Sequence, residues 1–259
     1  MDINTYMAAF SLLLGLVLGS FMNVCIYRIP LQKSIVNPGS SCRNCAVPVR
    51  WYDNIPLFSY MLLLGRCREC RAKISIRYPM VEALAGALSL ALFIRHGISF
   101  AYLHLLIFSL SLVVITFIDL DHMIIPDIIS IPGIIAAVPA SLLVPYVSMP
   151  ESIIGAVAGG GSFYLVASGY SLITGNEGMG GGDIKLMAMI GAWLGWQPLP
   201  IIVLLSALAG ALVGGGYILV SGKGARVRIP FGPFLALGAL TFVFYGREIL
   251  HWYIRLLQV

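Results

Sequence analysis

The sequence predicts an all-α polytopic membrane protein with about eight transmembrane helices. Apolar runs of about 18 residues or more recur along the chain, long enough to cross a bilayer as helix. Only 10% of the 259 residues are charged, where a soluble domain carries about 25%, and mean hydropathy is +0.93. The runs are rich in Leu, Ala and Gly and lack the period-2 alternation of a membrane barrel.

The first span, 4–26, follows the leading charge Asp2 and has no basic stretch before it, so it reads as a retained helix rather than a cleaved signal. Residues 27–78 form the one long polar segment and hold nine of the 16 Lys and Arg residues. Further spans are expected at 79–95, 99–118, 128–147, 152–174, 184–197, 199–220 and 231–256. The sixth is short, either a half-helix or part of one broken element with the seventh. Gly159-Gly160-Gly161 and Gly214-Gly215-Gly216 lie inside spans, where small residues let helix backbones approach closely.

Orientation follows from the basic residues. With 27–78 cytoplasmic, the connections at 119–127, 175–183 and 221–230 face the same side, adding Lys185, Lys223, Arg226 and Arg228 to it. Only Arg95, Arg247 and Arg255 remain opposite, so the N-terminus is placed outside. The expected division is a first helix at 1–27, a cytoplasmic loop domain at 28–78 and a transmembrane core at 79–259.

Within the loop, Cys42-x-x-Cys45 and Cys67-x-x-Cys70 are two like pairs with 21 residues between them. A two-residue spacer lets both sulfurs of a knuckle reach one ion, and two knuckles complete a tetrahedral thiolate site. A structural Zn2+ on Cys42, Cys45, Cys67 and Cys70 is the expected reading on a reducing face, with redox-active pairs the alternative. Four protein ligands leave no place for a reactive water, so this zinc stabilises rather than catalyses. Cys25 stands outside the pattern as a small buried hydrophobe.

FIDLDHMIIPD (117–127) places acids at the end of the third span, and GMGGGDIKL (178–186) places another at the start of the sixth. By the topology above, Asp119 and Asp183 emerge on one face. Two carboxylates a few ångströms apart share a proton, one acting as base and the other as acid in peptide hydrolysis. The same acids also suit a proton-coupled transporter, a structural role, or a scaffold whose zinc loop binds an assembly partner. The glycines before Asp183 are expected to let the backbone turn sharply and leave room for an extended substrate; no Gly-Lys-Ser/Thr follows them to make a phosphate loop. Asp127, after Pro126, is expected to cap the next helix. Asp121 is expected to be solvated or paired with Lys185 or an arginine of the loop, and His122 to be solvated.

The ordered set GSFMNVCIYRIP (19–30), the two CxxC pairs, RWYDNIP (50–56), ISIRYPMVE (74–82), FIDLDHMIIPD and GMGGGDIKL resembles the type IV prepilin peptidases. These are bifunctional leader peptidases and N-methyltransferases of bacterial inner membranes. The resemblance runs nearly end to end and implies an aspartic endopeptidase whose catalytic pair is Asp119 and Asp183. It implies cleavage of type IV prepilins or type II secretion pseudopilins after a Gly at the cytoplasmic face, then methylation of the new N-terminus from S-adenosylmethionine. It points to no particular residue for the methyl donor. Membrane lipid is an expected partner and nucleic acid is not.

Overall fold

The structure is a computed structural model, and the described residues are 3–176, 178–221 and 229–257. Asp2, Lys223, Arg226 and Arg228, used above in reading the N-terminus and the orientation, lie outside them. All eight apolar segments are helical, and the described residues form no strand beyond isolated bridges. The helices are α1 Ile3–Arg28, α2 Phe58–Leu62, α3 Arg77–His96, α4 Phe100–His122, α5 Asp127–Ala140, α6 Met149–Thr174, α7 Gly181–Leu194, α8 Leu199–Ser221 and α9 Gly232–Leu257.

Among the described residues, six helices, not eight, are long and apolar enough to cross a membrane: α1, α3, α4, α6, α8 and α9. Helices α5 and α7 have 14 residues each, about 21 Å of helix against a hydrocarbon thickness of about 30 Å. The short sixth span is thus a short helix of its own, separated from α8 by Gly195 at φ +83° and the turn that follows.

The chain divides into two compact units, Met1–Val114 and Ile115–Val259. In the first, α1 packs against α3 through glycines. A Cβ on Gly15 would lie 2.6 Å from Ser89 Cβ, and one on Gly19 would lie 2.7 Å from Glu82 Cα. The backbones touch where a side chain would hold them apart. At this contact the Ser89 hydroxyl donates to the Ser11 carbonyl (2.6 Å) and lies 2.8 Å from the Tyr102 hydroxyl, tying α1, α3 and the start of α4 together. Cys25 is buried in α1, as its apolar setting implies.

In the second unit α7 packs against α5, α6 and α9. Leu186, Met187 and the whole run Met189–Leu194 are buried, the all-round pattern of an interior helix. Gly155 and Gly191 meet backbone to backbone. Of the first glycine triplet, Gly159 and Gly160 face Met187 and Ala188 of α7, while Gly161 faces open space. Among the described residues the second triplet makes no comparable contact: Gly214 has Ile229 as a neighbour, and Gly215 and Gly216 have none. The start of α6 is fixed by a capping box, the Ser148 N–H donating to Glu151 Oε2 at 2.8 Å.

Candidate active site and metal centre

Along α4 the buried positions Phe108, Leu112, Ile115 and Asp119 recur at helical spacing, so the acid occupies the place of a core side chain and is only 4% exposed. The helix ends one turn later. The Met123 N–H donates to the Asp119 carbonyl (2.8 Å) and Met123 adopts φ +54°, a left-handed C-terminal cap. Ile124–Pro126 then run outside any helix until α5 opens at Asp127.

Asp183 lies in the first turn of α7, ahead of its apolar run and outside the six long helices. Burial first, and the charge of Asp119 second, push its carboxyl up to about 6. The two acids predicted from sequence therefore lie in one region of the second unit, near enough for the charge of Asp119 to act on Asp183. The half-buried carboxyl at the N-terminus of α7 also faces the positive end of that helix.

A third element was not foreseen. The Gly232 N–H, at the start of α9, donates to Asp119 Oδ2 at 3.0 Å across 113 positions. A Cβ on Gly232 would lie 2.6 Å from that oxygen and 3.4 Å from Ile125 Cδ1. Phe231 fixes the placement: its carbonyl accepts from Phe234 and Leu235, and its ring lies 6.4 Å from that of Phe163 on α6. The available signal was Pro-Phe-Gly-Pro-Phe at 230–234, a glycine with a following proline at a helix start. Gly232→Ala is expected to lower about 100-fold any turnover that depends on Asp119, since misplacing a catalytic group by about 1 Å costs that order. Its melting temperature should stay near wild type. Wild-type turnover in this variant would show that Asp119 does not depend on the contact.

One expectation for this region, a cap by Asp127, is corrected. Gly180, Gly181 and Gly182 lead into α7 without left-handed backbone. Gly180 is extended at φ −71°, ψ 143°, and none of the three is among the positive-φ glycines. Their smallness matters instead: a Cβ on Gly182 would press to 3.0 Å from Ile125, and Gly181 faces open space. Asp127 does not cap α5, because Pro126 holds the N-cap position and no side-chain cap bond forms. Asp127 pairs with Lys185 at 2.7 and 2.8 Å, the partner considered above for Asp121. That ion pair joins the openings of α5 and α7. Asp121 and His122 are exposed on the last turn of α4.

The loop cysteines form two matching knuckles in the first unit. In one, the Cys42 N–H donates to Val47 (3.0 Å) and the Ala46 N–H to Cys42 (3.0 Å), with Ala46 at φ +57°. In the other, the Cys67 N–H donates to Ala72 (2.9 Å) and the Arg71 N–H to Cys67 (3.1 Å), with Arg71 at φ +58°. The left-handed residue after each second cysteine folds both sulfurs inward. All four Sγ atoms lie within 4.8 Å of one another, and Cys42 and Cys70 are 3.8 Å apart. A tetrahedral ion with bonds of about 2.3 Å spaces its sulfurs by about 3.8 Å, so the donor set fits zinc. The Ala72 N–H and the Asn44 amide hold the Cys70 thiol down to about 6, favouring the thiolate that binds metal. Cys45 is lowered by the Val47 N–H, but desolvation and the neighbouring sulfurs outweigh this and push it up to about 11. A cation at the centre relieves that crowding.

The two units correspond to two family matches. Residues 13–96 match the bacterial peptidase A24 N-terminal domain, and residues 106–215 match the type IV leader peptidase family. A prepilin leader peptidase/N-methyltransferase of Aeromonas hydrophila is 40% identical over 93% of this chain and 92% of its own. Relatives with the same description from Pseudomonas putida and Pseudomonas aeruginosa are 37% and 34% identical, over 94% and 95% of this chain and 92% of theirs. The chain belongs to the type IV leader peptidase family. No solved structure matches it significantly. In this family member Gly232 and all of α9 lie beyond the leader peptidase match, which ends at 215.

Proposed function

We propose that the protein is a bifunctional prepilin leader peptidase and N-methyltransferase of the bacterial inner membrane, with Asp119 and Asp183 as its proteolytic pair. The observation that carries this is the meeting of a buried and a half-buried carboxyl in one site, in a chain similar over most of its length to prepilin peptidases. The substrates are type IV prepilins or type II secretion pseudopilins, presented at the cytoplasmic interface. Under this reading residues 1–27 anchor, 28–78 form the zinc-stabilised loop and 79–259 hold the protease core. The transporter alternative draws no support from the relatives, and acids at helix ends suit it less than acids at mid-bilayer.

Asp183 carries the shared proton. Asp119, ionised and anchored by Gly232, removes a proton from the attacking water as the water oxygen bonds to the carbonyl carbon of the leader's last Gly. Asp183 gives its proton to the carbonyl oxygen. Collapse of the tetrahedral intermediate breaks the C–N bond, the amine leaves with a proton returned through the pair, and the leader departs with a new carboxylate. Such a pair needs no metal at the scissile bond, consistent with a zinc site closed by four thiolates. Bound S-adenosylmethionine would supply the methyl group: its S–CH3 bond would break to leave S-adenosylhomocysteine, and the new amine would give up a proton.

The test is incubation of the purified full chain with a prepilin and mass spectrometry of the product. Loss of the leader and the added mass of one methyl group are the expected results. An unprocessed prepilin, with enzyme that is folded and zinc-loaded, would refute the reading.

A further inference from the structure

The first unit contains a cavity of about 770 Å³ bounded by the end of α1, both cysteine knuckles, the 53–63 segment and the start of α3, a size within the range of small-molecule sites, about 300–1,000 Å³. Three acids line it, and two are matched by arginines: Asp53 takes Arg68 through contacts of 2.6 to 3.1 Å, and Glu69 takes Arg50 at 3.4 Å. The third, Glu82, is the most buried at 8% exposed. Its Oε2 accepts the Leu57 N–H at 2.9 Å. No cation pairs with it among the described residues.

A buried carboxylate without a counter-ion is costly, and this one is held in place at further expense. Leu57 adopts φ +60°, ψ −49°, a conformation unfavourable for a branched side chain, and its N–H donates to Glu82. The walls add three tyrosines, Tyr27, Tyr60 and Tyr78, with the Arg43 guanidinium 3.8 Å from the Tyr27 ring centroid and 5.5 Å from that of Tyr78. Lys33 and Lys73 also line the cavity and make no ion pair among the described residues. The cavity thus presents an uncompensated carboxylate, aromatic faces and cations with no carboxylate partner.

We propose that this cavity binds the sulfonium methyl donor, with Glu82 as counter-ion to the positive sulfur. The donor carries the three complementary features: a sulfonium cation, a purine ring and a carboxylate. A sulfonium beside a buried acid and tyrosine faces gains both ionic and cation–π attraction. Its carboxylate matches Lys33 and Lys73, and its purine matches the ring faces. This assignment rests on the methyl-transfer half of the proposed function and supplies the residues for it.

The experiment is calorimetric titration of the zinc-loaded full chain in detergent with S-adenosylmethionine and, separately, with S-adenosylhomocysteine, which lacks only the sulfonium charge and its methyl. Wild type should prefer S-adenosylmethionine by about tenfold or more. Glu82→Gln keeps an acceptor for the Leu57 N–H, and it should lose that preference while binding S-adenosylhomocysteine as before. Hydrogen exchange on wild type locates the site independently of any variant, with protection expected in segments 20–28 and 53–82. Protection elsewhere, equal affinity of wild type for the two ligands, or an undiminished preference in Glu82→Gln would overturn the assignment while leaving the methyl-transfer reading intact. Wild type that binds neither ligand and adds no methyl group would overturn both.

Discussion

Asp119→Asn and Asp183→Asn are each expected to reduce leader cleavage by about 10⁴-fold or more, the upper range for removing a general acid or base. Asn keeps the shape of the side chain but neither accepts the water proton nor donates one. At position 119 its Oδ1 still takes the Gly232 N–H, so the anchoring contact survives while the charge is lost. The effects should not add. Under the proposed mechanism the two acids act as one unit, and the double variant should be no slower than the worse single variant. Cleavage of prepilin by either single variant at more than a few per cent of the wild-type rate would remove that residue from the pair.

The second large effect concerns the metal. A structural zinc on four thiolates contributes on the order of 10 kcal/mol or more to the fold that holds it, and the knuckles have little else to support them. Between Gly39 and Ile76 Ser59 and Gly65 are the sole buried residues, and apart from α2 and a 3-10 helix at Trp51–Asn54 the backbone is held by turns and isolated bridges. Cys42→Ser with Cys70→Ser is therefore expected to yield protein without zinc whose 40–75 segment is cut rapidly by added protease. Wild type should carry about one zinc per chain and resist. A zinc-free wild type, purified under reducing conditions with its loop still protected, would contradict the assignment.

The sequence made different parts of this molecule legible for different physical reasons. Asp119 and Asp183 stood out because charge at the edge of an apolar run is costly and therefore conspicuous, and the cysteine pairs because their spacing is itself the ligand geometry. Gly232 was not legible: its role lies in an N–H that reaches an acid 113 positions away, and no local pattern records such a contact. Asp127 misled because its position after Pro126 suggested a cap. It is instead the first helical residue, free to pair with Lys185. Hydropathy found α5 and α7, whose 14 residues each set them apart from the six long helices. Glu82 sat in plain view in ISIRYPMVE, yet its lack of a cationic partner among the described residues is a fact of packing.

If Asp119 and Asp183 act on one proton, the titration of Asp183 must depend on the charge of Asp119. The charge of Asp119 is one of the two influences that raise the Asp183 carboxyl to about 6, so removing that charge must lower the value, while burial alone still holds it above an ordinary aspartate. Carbon-13 NMR of labelled aspartate in the solubilised wild type and in Asp119→Asn reads this without substrate. The account predicts a titration near pH 6 in wild type and a clear downward move in the variant. The same titration in both proteins would mean that the two carboxyls do not sense each other, and the shared-proton mechanism would fall.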